Sequence, residues 1–331
     1  MLQDNHGRTV NYARISITDH CNFRCLYCHP QKNWTFMPHE HILRYEEILR
    51  LMRILVGMGV GKVRLTGGEP FARRDFVPFL GRVRAQFPEL DLRLTTNASL
   101  VGPYVPTLKD MGIECLNISL DTWRRERFEE ITGRDGLPEV LVAIELCEKH
   151  GLAYKLNAVA LRGMNEDEVG DFISFATEHG VDVRFIEFMP IGDGTVWGKD
   201  RYWPASEILA EARKHADLTP DQGRDRRAGP ARMFRIGSGP GRVGVISAVS
   251  CHFCSTCNRL RITADGRLRT CLFSDREYRL RSALRSPRLG DEAIERIIVQ
   301  ANKHKPLGFR LLEKREAREG VCRTGMSSIG G

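Results

Sequence analysis

Apolar and polar positions along the chain follow two periods that take turns. Short alternating runs predict strands at 14–18, 62–66, 92–96, 116–120, 154–160 and 183–188. Between them the period lengthens to that of a helix, at 45–56, 75–86, 138–150 and 166–179. Ile48, Leu51, Met52 and Leu55 form the apolar stripe of the first helix, and Gly151 and Gly180 stand where the last two should end. Six strand-then-helix units in succession predict an α/β fold, a partial (β/α)6 TIM-like barrel with a parallel sheet and outer helices.

After Pro190 the rhythm stops. A loop at 192–194, a helix at 204–215 and a second loop at 219–231, rich in Asp, Gly, Pro and Arg, lead to strands at 233–236 and 243–247. Segments 259–263 and 267–272 read as a hairpin around Asp265-Gly266, followed by helical patterns at 276–284 and 291–302 and a polar tail. The expected division is 1–230 for the barrel and 231–331 for a C-terminal α+β region.

Placed on this map, unusual residues gather at the carboxyl ends of the strands. Cys21–Cys28 follow the first, Gly67-Gly68-Glu69-Pro70 the second, Asn97 the third and Asp121 the fourth. Lys155 and Asn157 lie in the fifth, and Glu187, Met189 and Pro190 close the sixth. Gly-Gly before Glu-Pro also suits a plain turn, but six such ends on one edge predict an active site there.

Composition narrows the class. Hydrophobic residues at 42% and charged residues at 28% of 331 exclude a disordered chain. The net charge of +8 favours an anionic partner without naming it. No apolar run approaches the roughly 18 residues of a membrane span, and residues 1–12 are polar. The expectation is a soluble, cytoplasmic protein with no membrane partner. A nucleic-acid binder should carry its basic residues as a stripe, and strand-end motifs argue against one.

The cysteines bring the chemistry. Ten of them, without an export signal, are not expected to form a disulfide framework. Cys21, Cys25 and Cys28 form one tight group, and Cys251, Cys254 and Cys257 form another, with Cys271 following. Cys115 and Cys147 lie in apolar stretches and read as buried small hydrophobes. The first group supplies three thiolates, where a closed zinc site wants four ligands. His20 or His29 could complete one, so zinc stays open locally. The alternative is a [4Fe–4S] cube on three cysteines, with one iron left for an exogenous ligand.

Cys21-Asn22-Phe23-Arg24-Cys25-Leu26-Tyr27-Cys28, preceded by Arg14-Ile15-Ser16-Ile17-Thr18-Asp19, resembles the signature of the radical S-adenosylmethionine superfamily. Thr66-Gly67-Gly68-Glu69-Pro70 resembles the superfamily's motif for the methionine amino group. With Cys254-x2-Cys257-x13-Cys271, Cys257-Asn258-Arg259-Leu260-Arg261 and the terminal Gly330-Gly331, the chain resembles the GTP 3′,8-cyclase family of molybdenum-cofactor biosynthesis.

The resemblance implies two [4Fe–4S] clusters and S-adenosylmethionine. Cys21, Cys25 and Cys28 would hold the first cluster, with Tyr27, Gly68, Ser119 and Met189 at the S-adenosylmethionine. Cys254, Cys257 and Cys271 would hold the second, whose open iron meets the guanine of GTP. Arg14, Arg64, Thr95, Lys155, Arg184, Arg259, Leu260 and Arg261 match GTP positions. Arg14 and the Gly330-Gly331 tail are the implied catalytic groups. The family also implies an electron donor, a homodimer and, downstream, the cyclic pyranopterin monophosphate synthase.

Cys251 precedes Cys254 and Cys257 at the same spacing, so sequence alone allows another set of three ligands, or four. Family spacing leaves Cys251 free. Glu69 reads as an acid or base, or equally as a loop-fixing acceptor. Arg73 and Arg74 read as surface charge. Two other functions remain to be separated: a peptide-modifying radical enzyme with an auxiliary cluster, and a zinc-stabilised nucleic-acid-binding protein.

Overall fold

The structure is a computed structural model that describes residues 1–29, 35–192, 196–221, 229–315, 322 and 324–330. A small hairpin, β1 (Leu2–Gln3) and β2 (Thr9–Val10), opens the chain. The six expected strands follow as β3 (Tyr12–Ser16), β4 (Lys62–Thr66), β5 (Asp91–Thr96), β6 (Cys115–Ser119), β7 (Ala153–Ala160) and β8 (Asp182–Glu187). The helices between them are α1 (Tyr45–Gly57), α2 (Phe76–Gln86), α3 (Val105–Asp110), α4 (Arg125–Thr132), α5 (Leu137–Lys149) and α6 (Val169–His179). The predicted stripe of α1 is buried, and Gly180 ends α6 in the left-handed region at φ +65°.

Next come α7 (Ala205–His215), β9 (Leu218–Pro220), β10 (Arg232–Ile236), β11 (Arg242–Ile246), β12 (Arg259–Ile262), β13 (Arg267–Arg269) and β14 (Glu277–Arg279). The chain then forms α8 (Arg281–Arg285), α9 (Asp291–Lys303), α10 (Phe309–Arg315) and α11 (Met326–Ile329). One twelve-stranded sheet runs in the order β14-β13-β12-β3-β4-β5-β6-β7-β8-β11-β10-β9. From β12 to β11 every pairing is parallel. Its two ends do not pair among the described residues, so the barrel is open.

The expected C-terminal region adds strands to this same sheet. β11 extends it beside β8 and β12 beside β3, so residues after 231 flank the six-strand arc on both sides. Alternation within the strands sorts the side chains. In β3, Ala13 and Ile15 enter the apolar core, while Tyr12 and Arg14 face the other way; in β7, Leu156 and Ala158 do the same against Lys155 and Asn157.

Three expectations need correction. The helix predicted over 276–284 is instead β14 followed by the single turn α8. Glu277 faces Arg269 in the ladder and pairs with Arg267 at 2.7 Å and Arg269 at 3.1 Å, so sheet contacts override the local period. The polar tail is helical at its end, with Ser327, Ser328 and Ile329 buried. Arg73 is not surface charge: its guanidinium lies 4.0 Å from the Tyr45 ring centroid and donates to the carbonyls of Leu43, at 2.7 Å, and Ile17. Arg74 is exposed, as expected. No described helix is long and apolar enough to cross a membrane.

Candidate active site

The strand faces turned away from the helices enclose a cavity of about 1250 Å³. Its wall takes residues from every parallel strand: Tyr12 and Arg14, Lys62 and Arg64, Thr95, Asn117 and Ser119, Lys155 and Asn157, Arg184, Ile246, Arg259 and Arg261. Cys21, Cys25 and Cys28 line it, and so do Cys254, Cys257 and Cys271. Leu260 lies out of phase with Arg259 and Arg261; its side chain is fully buried in the apolar core and faces away.

The first cysteine set sits in the loop after β3, where the backbone N–H groups of Cys28 and His29 donate to the Cys25 carbonyl at 2.9 and 3.1 Å. The Gly-Gly-Glu-Pro loop after β4 presses on its base. Gly68 N donates to Thr18 O at 2.7 Å, and a Cβ on Gly68 would lie 2.1 Å from His20 O, so only glycine fits. Glu69 is the fastener of this loop. Its carboxylate accepts from Thr96 Oγ1 at 2.8 Å, Asn97 N at 2.7 Å and Phe71 N at 3.1 Å. Burial pushes it up to about 7 against those donors, and all three bonds fix backbone or neighbouring side chains. Asn97 in turn directs Nδ2 at Cys21 Sγ, 3.7 Å away.

Tyr27, Gly68, Ser119 and Met189 share the cavity with this set. Tyr27 donates its hydroxyl to Asp121 Oδ2 at 2.6 Å, and Val159 N donates to Asp121 Oδ1 at 2.8 Å. Asp121 therefore orients Tyr27, a role that its position at a strand end did not reveal.

Beside this lies a field of positive charge. Arg261, Arg14, Arg64 and Arg93 stand level on four adjacent strands. Arg93 is ion-paired with Asp91 and, at 2.8 Å, with Glu114, whereas like charges on Arg261, Arg14 and Arg64 repel. Burial, then Arg261, Arg64 and Arg259, hold the Arg14 guanidinium well below its usual range, with Tyr12 opposing. Arg64 donates to Tyr12 Oη at 2.7 Å and Thr95 Oγ1 at 3.0 Å, and Arg261 donates to Gly330 O at 2.7 Å; of these three acceptors only the Tyr12 phenol can ionise. Lys155 and Arg184 differ, because Asp182 pairs with both, at 2.8 and 3.1 Å. The face is strongly cationic, with Arg14, Arg64 and Arg261 at its centre.

The second cysteine set faces the cavity from the far side. Gly308 closes against it: a Cβ there would lie 2.9 Å from Cys271 Sγ and 3.5 Å from Cys254 Sγ. Cys251 is exposed and outside the cavity wall, which leaves the other three as the convergent set. Among the described residues no three His, Cys, Asp or Glu side chains close on a single metal ion. The two triplets are the residues of this cavity that could hold iron–sulfur cofactors. Arg8 and Lys305 also line this wall and were missed, because the bonds that bring them there are to distant backbone carbonyls. Gly330 lies buried at φ +75°, where a Cβ would meet Thr66 Cγ2 at 2.6 Å; Gly331 lies outside the described residues.

Residues 15–176 match the radical SAM superfamily, and residues 181–311 match Molybdenum Cofactor Synthesis C. A GTP 3′,8-cyclase of Listeria monocytogenes serotype 4b (strain CLIP80459) is 39% identical over 100% of this chain and 99% of its own. That of Syntrophomonas wolfei is 44% identical over 92% of this chain and 93% of its own. Molybdenum cofactor biosynthesis protein 1 of Drosophila melanogaster is 41% identical over 92% of this chain and 54% of its own. Among solved structures, Streptococcus suis SuiB bound to S-adenosylmethionine superposes with a TM-score of 0.62 at 15% identity, over 91% of this chain and 67% of SuiB, a likeness of fold. With both halves matched and relatives alike from end to end, the chain belongs to the GTP 3′,8-cyclase family of radical S-adenosylmethionine proteins.

Proposed function

We propose that this cavity converts GTP to (8S)-3′,8-cyclo-7,8-dihydroguanosine 5′-triphosphate, the first step of molybdenum-cofactor biosynthesis. The observation that supports it is one cavity walled by two cysteine triplets and a cationic sheet face. Cys21, Cys25 and Cys28 would hold one [4Fe–4S] cluster, and Cys254, Cys257 and Cys271 a second. When bound, the first cluster and S-adenosylmethionine supply one-electron cleavage of a sulfonium and hydrogen-atom abstraction from the ribose. The chain supplies placement. Tyr27, Gly68, Ser119 and Met189 border the S-adenosylmethionine. Arg14, Arg64, Arg259 and Arg261 take the triphosphate, with Thr95, Lys155 and Arg184 along the nucleoside. Gly330 packs against Ser16 and Thr66, and the Gly330-Gly331 tail would help exclude water from the reacting end. An external electron donor, a homodimer and transfer of product to the cyclic pyranopterin monophosphate synthase complete the reading.

Anaerobic reconstitution, iron and sulfide quantification, and product analysis on GTP test it together. Two clusters' worth of iron and a cyclised GTP derivative are expected. Zinc in place of iron, or indifference to GTP, overturns the reading.

Tyr12 adds a pH dependence. Burial alone would raise its phenol, but Arg64, Arg14, the Arg64 hydrogen bond and Arg259 outweigh burial and bring it down to about 7. A phenolate among the arginines competes with the triphosphate. GTP affinity should therefore fall as pH rises through about 7, by at most about tenfold per pH unit for a single proton. Calorimetry across this range should show proton uptake on binding, and Tyr12→Phe should flatten the profile. An identical slope in Tyr12→Phe removes the phenol from the site's electrostatics.

A further inference from the structure

Lys305 follows α9 and is only 2% exposed. Its ammonium donates to Thr270 O at 2.6 Å and to Arg259 O, the first adjoining Cys271 and the second lying two residues past Cys257. No carboxylate bridges it among the described residues, and a buried ammonium without an anion is costly. Arg8 completes the arrangement. Its guanidinium donates to Cys254 O at 2.7 Å, Lys305 O at 3.1 Å and Pro306 O at 3.2 Å, while Asp4 neutralises it through a 2.6 Å bond to Nε. The three segments that carry Cys254, Cys257 and Cys271 are thus tied to one another through two buried cations. Only one of these, Arg8, has its own carboxylate. Burial pulls the Lys305 ammonium down, and the cysteines beside it, Cys257 and then Cys271, are the groups that oppose this.

We infer that Lys305 is a positioning residue of the second cysteine set, which it braces with Arg8 and whose thiolate charge it offsets. This rests on the proposed second cluster. Backbone carbonyls accept the ammonium hydrogens, so the brace sets the spacing of the ligand segments before a cluster arrives. The retained positive charge favours the reduced, more anionic form of a cluster held there and makes its potential less negative.

The test uses the full chain with Cys21, Cys25 and Cys28 replaced by Ala, so that only the second site is loaded. Lys305→Met in that background should shift the midpoint potential, followed by electron paramagnetic resonance, to more negative values. It should also speed iron loss to a chelator, by about tenfold if one to two kcal/mol of bracing is removed. Lys305→Arg should restore chelator resistance and potential in part. Lys305→Gln keeps an N–H donor and drops the charge, and it carries the potential measurement should Lys305→Met not fold. A wild-type potential and iron-loss rate in either neutral variant overturns the inference. If Cys254→Ala in the otherwise natural chain keeps all its iron, the second-cluster reading itself fails; if it loses half while the Lys305 variants behave as wild type, only the inference does.

Discussion

Cys25→Ala should reduce S-adenosylmethionine cleavage to the level of cluster-free protein and cut iron per chain by half. The sulfur is the only part of Cys25 that the substitution removes. Its carbonyl still accepts from Cys28 and His29, so the loop keeps its backbone shape. Two remaining thiolates do not hold the cube that three hold, and without it the cavity has no source for the electron. The second set, on the opposite wall, should stay loaded and account for the iron that remains. Cys251→Ala is the matched control: that thiol is exposed and outside the cavity, and its loss should leave iron and cleavage unchanged. Cleavage retained in Cys25→Ala, measured as 5′-deoxyadenosine under dithionite, would remove the first cluster from the loop after β3.

Much of this arrangement could be read from residue order. Strand alternation placed Arg259 and Arg261 on one face, and the same period turns Leu260 away, although family resemblance alone would put it at the substrate. β4 begins and ends where its pattern predicts, and β3 shifts by two residues because Tyr12 pairs with Arg259 from the far end of the chain. What could not be read shares one cause. Arg73 and Lys305, and Arg8 apart from its Nε bond to Asp4, spend their donors on backbone carbonyls of remote segments, and a carbonyl carries no sequence signature. The continuity of one sheet into residues 232–279 has the same origin. β11 and β12 are short strands whose parallel partners, β8 and β3, lie 60 and 247 residues earlier by register. Asp121 and Glu69 are intermediate cases. Their positions at strand ends were legible, but whether such an acid reacts or merely accepts hydrogen bonds depends on donors brought in by folding.

Arg261→Ala should weaken GTP binding by roughly 3 kcal/mol, about a hundredfold in Kd, while both clusters remain loaded. Arg261 is only 6% exposed, and burial, then Arg259, holds its guanidinium down to about 10. Its neighbours across the ladder are Arg14 and, one strand further, Arg64. In the absence of nucleotide this row is self-repelling, so removing one member costs the apo protein little electrostatically. With the triphosphate in place the sign reverses, and the lost cation leaves phosphate oxygens buried and short of a donor. Stability and affinity should therefore separate: a melting temperature close to wild type without GTP, and little of the wild-type rise when GTP is added. The substitution also removes the 2.7 Å bond to Gly330 O, so the segment 324–330 should become open to proteolysis. Arg261→Lys restores the charge without the planar fork and should recover part of the affinity but not protection of the tail. An unchanged Kd for Arg261→Ala would mean that the triphosphate does not lie on this face, and the cationic row would need another anion to explain it.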